Sequence, residues 1–235
     1  MHRMTASELL SRAPPFPAAG GALLLPGAAG AIELDCAVPE AAIARTGSAI
    51  LCHPHPLQGG TMHNKVVTIL ERSLLELGLT TVRLNFRGVG KSAGVHDNGV
   101  GEADDVATIA AWLRRERPDD VLWLAGFSFG SYVCLRAAGR LAPAQVILIA
   151  PPAGRWDFSS IALPTCPWLV VQGEEDELVD PAAVYAWVET LKPAPHLVRM
   201  PETGHFFHRR LMDLRGLLKN SLAANLPPLR TDPRG

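Results

Sequence analysis

Charge of neither sign is in excess: 22 Lys and Arg stand against 23 Asp and Glu, a formal net charge of −1. So balanced a chain has no basic field to gather nucleic acid or an anionic membrane, and no acidic one for a basic partner. Long hydrophobic runs are missing too, since nothing approaches the ~20 apolar residues of a spanning helix. Cysteine is scarce. Cys36, Cys52, Cys134 and Cys166 lie far apart, form no Cys-x-x-Cys pair and sit mostly in apolar segments, so they read as reduced core thiols and place the chain in the cytoplasm. The N-terminus lacks the continuous apolar stretch of a secretory signal, because Arg3 is followed by polar residues and then Pro14, Pro15 and Pro17.

What is present is the make-up of an ordinary globular protein, 48% apolar and 19% charged, which excludes disorder, collagen-like repeats and coiled coil. No internal repeat or linker divides the chain. The expectation is one domain over residues 20–226, a loose leader over 1–19 and a tail over 227–235, as a monomer or homodimer. Ala22–Leu25 and the alternating Ala31–Val38, separated by a turn over Gly27–Gly30, predict a β-hairpin. Thereafter short apolar runs alternate with helix-period segments. Strands are predicted at Gly47–His53, Thr80–Phe86, Val121–Phe127, Gln145–Ala150, Cys166–Gln172 and Leu197–Met200. Helices are predicted at Thr61–Leu77, Asp104–Glu116, Ser128–Leu141, Pro181–Leu191 and from about His205 to Ala224. The sum is an α/β fold, a mostly parallel, doubly wound sheet with an antiparallel hairpin at its start.

The most informative stretch is Gly126-Phe127-Ser128-Phe129-Gly130, a Gly-x-Ser-x-Gly running from a strand straight into a helix. A serine at such a corner is lifted out of the sheet by a strained backbone, and the flanking glycines let strand and helix pack closely. Ser128 is the candidate nucleophile. The helix beginning there aims its free N–H groups and positive dipole end at the reaction centre, so the Phe129 N–H is a candidate oxyanion donor. A serine hydroxyl needs a base near neutral pH, and neutral histidine suits the task. In the order serine, acid, histidine, the cluster Glu174-Glu175-Asp176 follows one later strand and His205 follows the next. Both lie at carboxyl ends of strands, where an open α/β sheet places its site. Glu174, Glu175, Glu177 and Asp180 compete with Asp176, although Asp180-Pro181 reads better as a helix N-cap with a first-turn proline. His208, about one turn after His205, reads as a cap or companion of the last helix.

On these residues the chain resembles the α/β-hydrolase superfamily, and most of all its small lidless bacterial serine hydrolases of dienelactone-hydrolase-like or esterase-like type. The resemblance covers about residues 20–225. It includes His53-Pro54-His55-Pro56-Leu57-Gln58-Gly59-Gly60, standing where the family has its His-Gly oxyanion loop, and Asn85-Phe86-Arg87-Gly88-Val89-Gly90-Lys91-Ser92 after the next strand. It implies the α/β-hydrolase fold and favours Asp176 as the acid. It also implies His55 as the second oxyanion N–H, with Leu57 as substitute because Pro54 replaces the family's glycine and Pro56 has no N–H. Family enzymes commonly insert a lid before the strand that precedes the acid. Here residues 151–165 are the whole connection, so no lid domain is expected and the cleft is open, walled by Leu57, Phe127, Trp156, Phe158 and Phe206.

The function implied is hydrolysis of carboxylic ester or thioester bonds of small or flexible acyl substrates, through a Ser128–His205–Asp176 triad and an acyl-enzyme, without cofactor. Two other readings compete. One is a nucleotide-binding protein using Gly88-Val89-Gly90-Lys91-Ser92, which has half the pattern of a phosphate-binding loop, with Asn85 where the first glycine is required. A binding protein that keeps the fold without turnover is the other. His53, His55 and His63 resemble metal ligands by type, but no carboxylate spacing completes the set, so no metal is expected.

Overall fold

The computed structural model describes residues 6–231. Its centre is an eight-stranded sheet in the order β1-β2-β4-β3-β5-β6-β7-β8. The hairpin β1 (Gly21–Gly27) and β2 (Gly30–Ala37) is antiparallel, and β2 also runs antiparallel to β4 (Thr80–Leu84). From β4 onward, β3 (Gly47–Cys52), β5 (Val121–Phe127), β6 (Gln145–Ile149), β7 (Trp168–Gly173) and β8 (His196–Met200) pair in parallel. β3, β6 and β7 are buried at every residue, the reason their sequences read as unbroken apolar runs.

Helices cover both faces. On one lie α3 (Val100–Glu116), α4 (Phe129–Leu141) and α5 (Pro181–Glu189), whose Val106, Ile109, Trp112, Val133 and Val184 pack on Ile50, Leu124, Leu148 and Val170. On the other, Val66, Val67, Leu70 and Leu74 of α2 (Lys65–Glu76) and Leu214, Leu218 and Leu222 of α6 (Leu211–Leu222) bury Leu51, Trp123, Ala125 and Ile147. No helix among the described residues is long and apolar enough to cross a membrane.

The structure corrects two expectations. The first five residues of the supposed leader lie outside the described residues, but 6–19 are docked, not loose. A short helix, α1 (Ala6–Ser11), precedes a segment in which Pro14 O accepts the indole N–H of Trp112 at 2.8 Å, the Phe16 N–H donates to Glu116 at 2.9 Å, and the Phe16 ring stacks on Trp112 with centroids 5.6 Å apart. Proline removes a donor, yet its carbonyl still accepts. At the other end, the tail is tied to the sheet by Thr46 N–H to Pro228 O and Arg230 N–H to Ala44 O.

The second correction concerns the last helix, which begins at Leu211 rather than at His205. Phe207 and Arg209 have φ of 54° and 61°, a left-handed conformation that no helix continues through. His205 and His208 therefore stand on a coiled loop. If the N-terminal strap is a working part of the fold, Phe16→Ala should lower the free energy of unfolding by about 1–2 kcal/mol, as expected for half-buried aromatic area. Urea denaturation checks this, and an unchanged midpoint would mean the strap is ornamental.

Candidate active site

Four loops at the carboxyl ends of β3, β5, β7 and β8 meet along one edge of the sheet. Ser128 turns the chain from β5 into α4 with φ 54° and ψ −121°, a strained conformation for a residue with a side chain, costing about 1–3 kcal/mol. The surroundings hold it there. Ser128 N–H donates to Ile149 O of β6 at 2.8 Å, and the Ser131 hydroxyl bridges Gly126 O and Ile149 O at 2.8 and 2.9 Å. Two glycines permit the approach of helix to sheet: a Cβ on Gly126 would stand 2.3 Å from the Gly130 carbonyl, and one on Gly130 would stand 2.2 Å from Cys52 O.

From this corner the Ser128 Oγ lies 3.1 Å from His205 Nε2, and His205 Nδ1 lies 2.9 and 3.1 Å from the two carboxylate oxygens of Asp176. The three side chains singled out in the sequence are thus brought together. Asp176 also accepts N–H bonds from Leu178 at 2.9 Å, from Val179 at 2.7 Å and from the Gln172 amide at 3.0 Å. Burial pushes its carboxyl upward, but the His205 hydrogen bond, the Val179 N–H, the His205 charge and the Leu178 N–H outweigh it and hold the group below the ordinary aspartate range. With a carboxylate beneath, Nδ1 carries the ring proton and Nε2 faces the serine as an acceptor. The loops of acid and base are also tied by the His205 N–H donating to Glu177 at 3.0 Å. Asp180 caps α5 through the Ala182 N–H at 3.0 Å.

The loop after β3 is organised by a buried imidazole. His53 Nδ1 donates to Pro54 O at 2.6 Å, while Nε2 accepts the Phe86 N–H at 3.0 Å. In a planar trans peptide C=O and N–H point opposite ways, so gripping Pro54 O turns the His55 N–H to the other side. Gly60 completes the turn, since a Cβ there would stand 2.1 Å from Pro54 O. Of the two candidate donors in this loop, the Leu57 N–H is given to the His55 ring at 3.2 Å. The His55 N–H, like that of Phe129 at the first position of α4, has no acceptor among the described residues. With both ring nitrogens of His53 engaged, His53 and His55 do not converge as ligands, and no metal-binding group of three His, Cys, Asp or Glu side chains occurs among the described residues.

Ser128 and His205 open into a cleft of two lobes, about 250 Å³ and about 190 Å³, sharing His55, Gln58 and Leu178. Trp156 lines the first and Phe206 the second, as expected of them. Three other expected walls are elsewhere. Leu57 is 75% exposed and borders neither lobe. Phe127 is buried beneath the site, its ring 5.0 Å from that of His205, because β5 is covered by helices on both faces and this side chain packs into the core with Leu214 and Leu218 of α6. Phe158 is buried behind Trp156, against Tyr132 and Trp187 at 5.3 and 4.8 Å. The sequence reading missed Gln58, Arg155, Leu178 and Gln172. Of these only Gln172 left a signal, as the lone amide closing the apolar run of β7.

The loop that resembled a phosphate site holds a carboxylate instead. Glu33 accepts the Lys91 N–H at 2.7 Å and the Asn85 amide at 2.8 Å, and no helix starts at Lys91-Ser92, since α3 begins at Val100. An acidic side chain occupies the position that a phosphate would need.

An α/β serine hydrolase without a lid from Xanthomonas campestris has a solved structure 55% identical in sequence, covering 92% of this chain and 100% of that one with a TM-score of 0.89. The chain belongs to the lidless α/β serine hydrolases. A structure of an α/β serine hydrolase homologue from Coxiella burnetii is 46% identical over 86% of this hydrolase and 96% of its own chain, with a TM-score of 0.83. An uncharacterized protein of Rickettsia prowazekii (strain Madrid E) is 39% identical over 136 residues, 56% of this chain and 57% of the relative, so the match spans little more than half of that protein. No family model matches the hydrolase.

Burial lowers the His53 pKa from 6.5 to about 4, against the opposing pull of Pro54 O. The folded protein keeps this ring neutral where the unfolded chain protonates it. Stability from His53 is therefore whole above pH 6.5 and lost as pH falls from 6.5 to about 4, roughly 3 kcal/mol in all. The contribution of Asp176 is lost only at lower pH, below its ordinary value of 3.8. Denaturation series across that range should show His53→Gln with a shallower decline than the parent between pH 6.5 and 4. Parallel curves would mean that His53 is not the buried proton acceptor avoided by the fold.

Proposed function

We propose that this hydrolase cleaves carboxylic ester bonds of small or flexible acyl groups through an acyl-enzyme on Ser128. The observation that carries the reading is the unbroken line from the Ser128 Oγ through His205 to Asp176. His205 Nε2 takes the hydroxyl proton as Oγ attacks the carbonyl carbon, and Asp176 steadies the imidazolium and fixes its tautomer. The negative charge passing to the carbonyl oxygen is met by the N–H groups of Phe129 and His55, neither of which has to give up another partner first. His205 then returns the proton to the leaving oxygen. A water molecule, deprotonated by the same ring, releases the acid and restores the serine.

The shape of the cleft supports the choice of substrate. Residues 150–167 join β6 and β7 without an inserted helix, and the lobes open to solvent with room for short groups on either side of the scissile bond. The same attack serves a thioester, whose leaving sulfur needs less help from His205. Short p-nitrophenyl esters should be turned over with an optimum at small acyl groups, and thioesters of equal acyl length should be cleaved as well. Ser128→Ala should remove at least a thousandfold of kcat, and Asp176→Asn roughly 10³–10⁴-fold by presenting the wrong tautomer. Steady turnover surviving in Ser128→Ala would contradict the mechanism, and preference for long lipid esters would contradict the open-cleft argument. A folded protein inert towards every ester and thioester would favour the binding-protein reading.

A further inference from the structure

The larger lobe carries a charge that the hydrolysis of a simple ester does not use. Among the residues that line it, Arg155 is the one arginine or lysine, and none carries an acidic side chain. Elsewhere Arg83, Arg87 and Arg117 are matched to Glu71, Asp105 and Asp120. Arg155 forms no ion pair among the described residues. Its one side-chain hydrogen bond runs from Nη1 to Leu178 O at 2.8 Å, which leaves the other N–H groups of its fork unspent.

That bond ties one edge of the exposed guanidinium beside the cleft. Arg155 stands in a turn entered through Gly154 at φ 83°, with the Arg155 and Trp156 N–H groups both donating to Pro152 O at 3.1 and 3.2 Å. The turn lies within residues 150–167, the short connection that leaves the site open. Apolar Trp156, Leu178 and Val179 flank the charge, and the neighbouring His55 imidazole is held below its ordinary value by burial and by His96, against the pull of Glu102, with Arg155 adding the smallest push.

We infer that this hydrolase acts on esters that carry a carboxylate, separated from the scissile carbonyl by a short apolar spacer, and that Arg155 selects them. The inference rests on the ester-cleaving reading above and names its substrate class. A planar guanidinium with a free edge pairs with carboxylate in a two-point fork, which an ammonium cannot copy. The spacer fits the apolar surface of Trp156 and Leu178, and the Gln58 amide stands at the same lobe to offer a further donor.

The test is a ratio of kcat/KM values for matched substrates: p-nitrophenyl hemisuccinate, hemiglutarate and hemiadipate against uncharged p-nitrophenyl esters of equal chain length. A second set carries the carboxylate on the alcohol side, as in butyryl esters of hydroxy acids against butyryl esters of plain alcohols. The native protein should favour the charged member of at least one set by roughly tenfold, the scale of a charge-assisted hydrogen-bonded pair. Arg155→Met should collapse that ratio towards one, Arg155→Lys should restore it only in part, and added salt should shrink it in the native protein because the arginine is exposed. Turnover of the neutral esters with no charged preference in either set overturns this inference and leaves the hydrolase reading standing. A preference that survives Arg155→Met overturns the role of Arg155. Hydrolysis of neither kind of ester overturns both readings.

Discussion

The site depends on one reversal of the backbone at Ser128. A residue with a side chain is held at φ 54° because its N–H is taken by Ile149 on the neighbouring strand, and because Gly126 and Gly130 leave no Cβ atoms between β5, α4 and β3. The strain of about 1–3 kcal/mol is small beside the packing of two buried helices against the sheet, which imposes it. What it yields is placement. The hydroxyl stands clear of the sheet edge, beside the first N–H of α4, where loops from β7 and β8 can bring an acid and a base to it.

Those loops are fixed with equal care. Asp176 is held by two backbone N–H groups and the Gln172 amide, so its carboxylate is oriented before His205 arrives. His205 is tied at its backbone by Glu177 and at its ring by Asp176. His53 performs the corresponding service for the loop after β3 while remaining buried and neutral. Pro54 stiffens that loop, and the His55 N–H is left without an acceptor among the described residues.

Much of this was legible in the amino-acid sequence because its signals are local. A strand that ends in Gly-x-Ser-x-Gly and runs into a helix, followed by an acid and then a histidine after successive strands, leaves few arrangements on a parallel sheet. What was not legible depends on contacts distant in sequence or on backbone conformation. The stripe of Leu211, Leu214, Leu218 and Leu222 marks a helix without fixing where it starts, and side-chain pattern does not announce the positive φ of Phe207 and Arg209 that ends the coil from His205. Phe127 and Phe158 were recognisable as apolar, but whether an aromatic ring lines a cleft or lies behind it is decided by its neighbours. The docking of the proline-rich start is not legible because it uses backbone groups, which every residue has, and a single aromatic ring whose partner lies about a hundred residues away. Nothing in the sequence around Arg155 distinguishes it from other arginines, because its lack of a carboxylate and its place beside the cleft are set by residues distant in the chain.

The central claim is that this corner makes one hydroxyl reactive in neutral solution, and covalent capture tests it most directly. The folded protein should be treated with a small fluorophosphonate, digested and mapped by mass spectrometry. The account predicts a single adduct on Ser128, formed many times more slowly in His205→Ala. A folded protein that acquires no adduct, or acquires it on another serine, would contradict it.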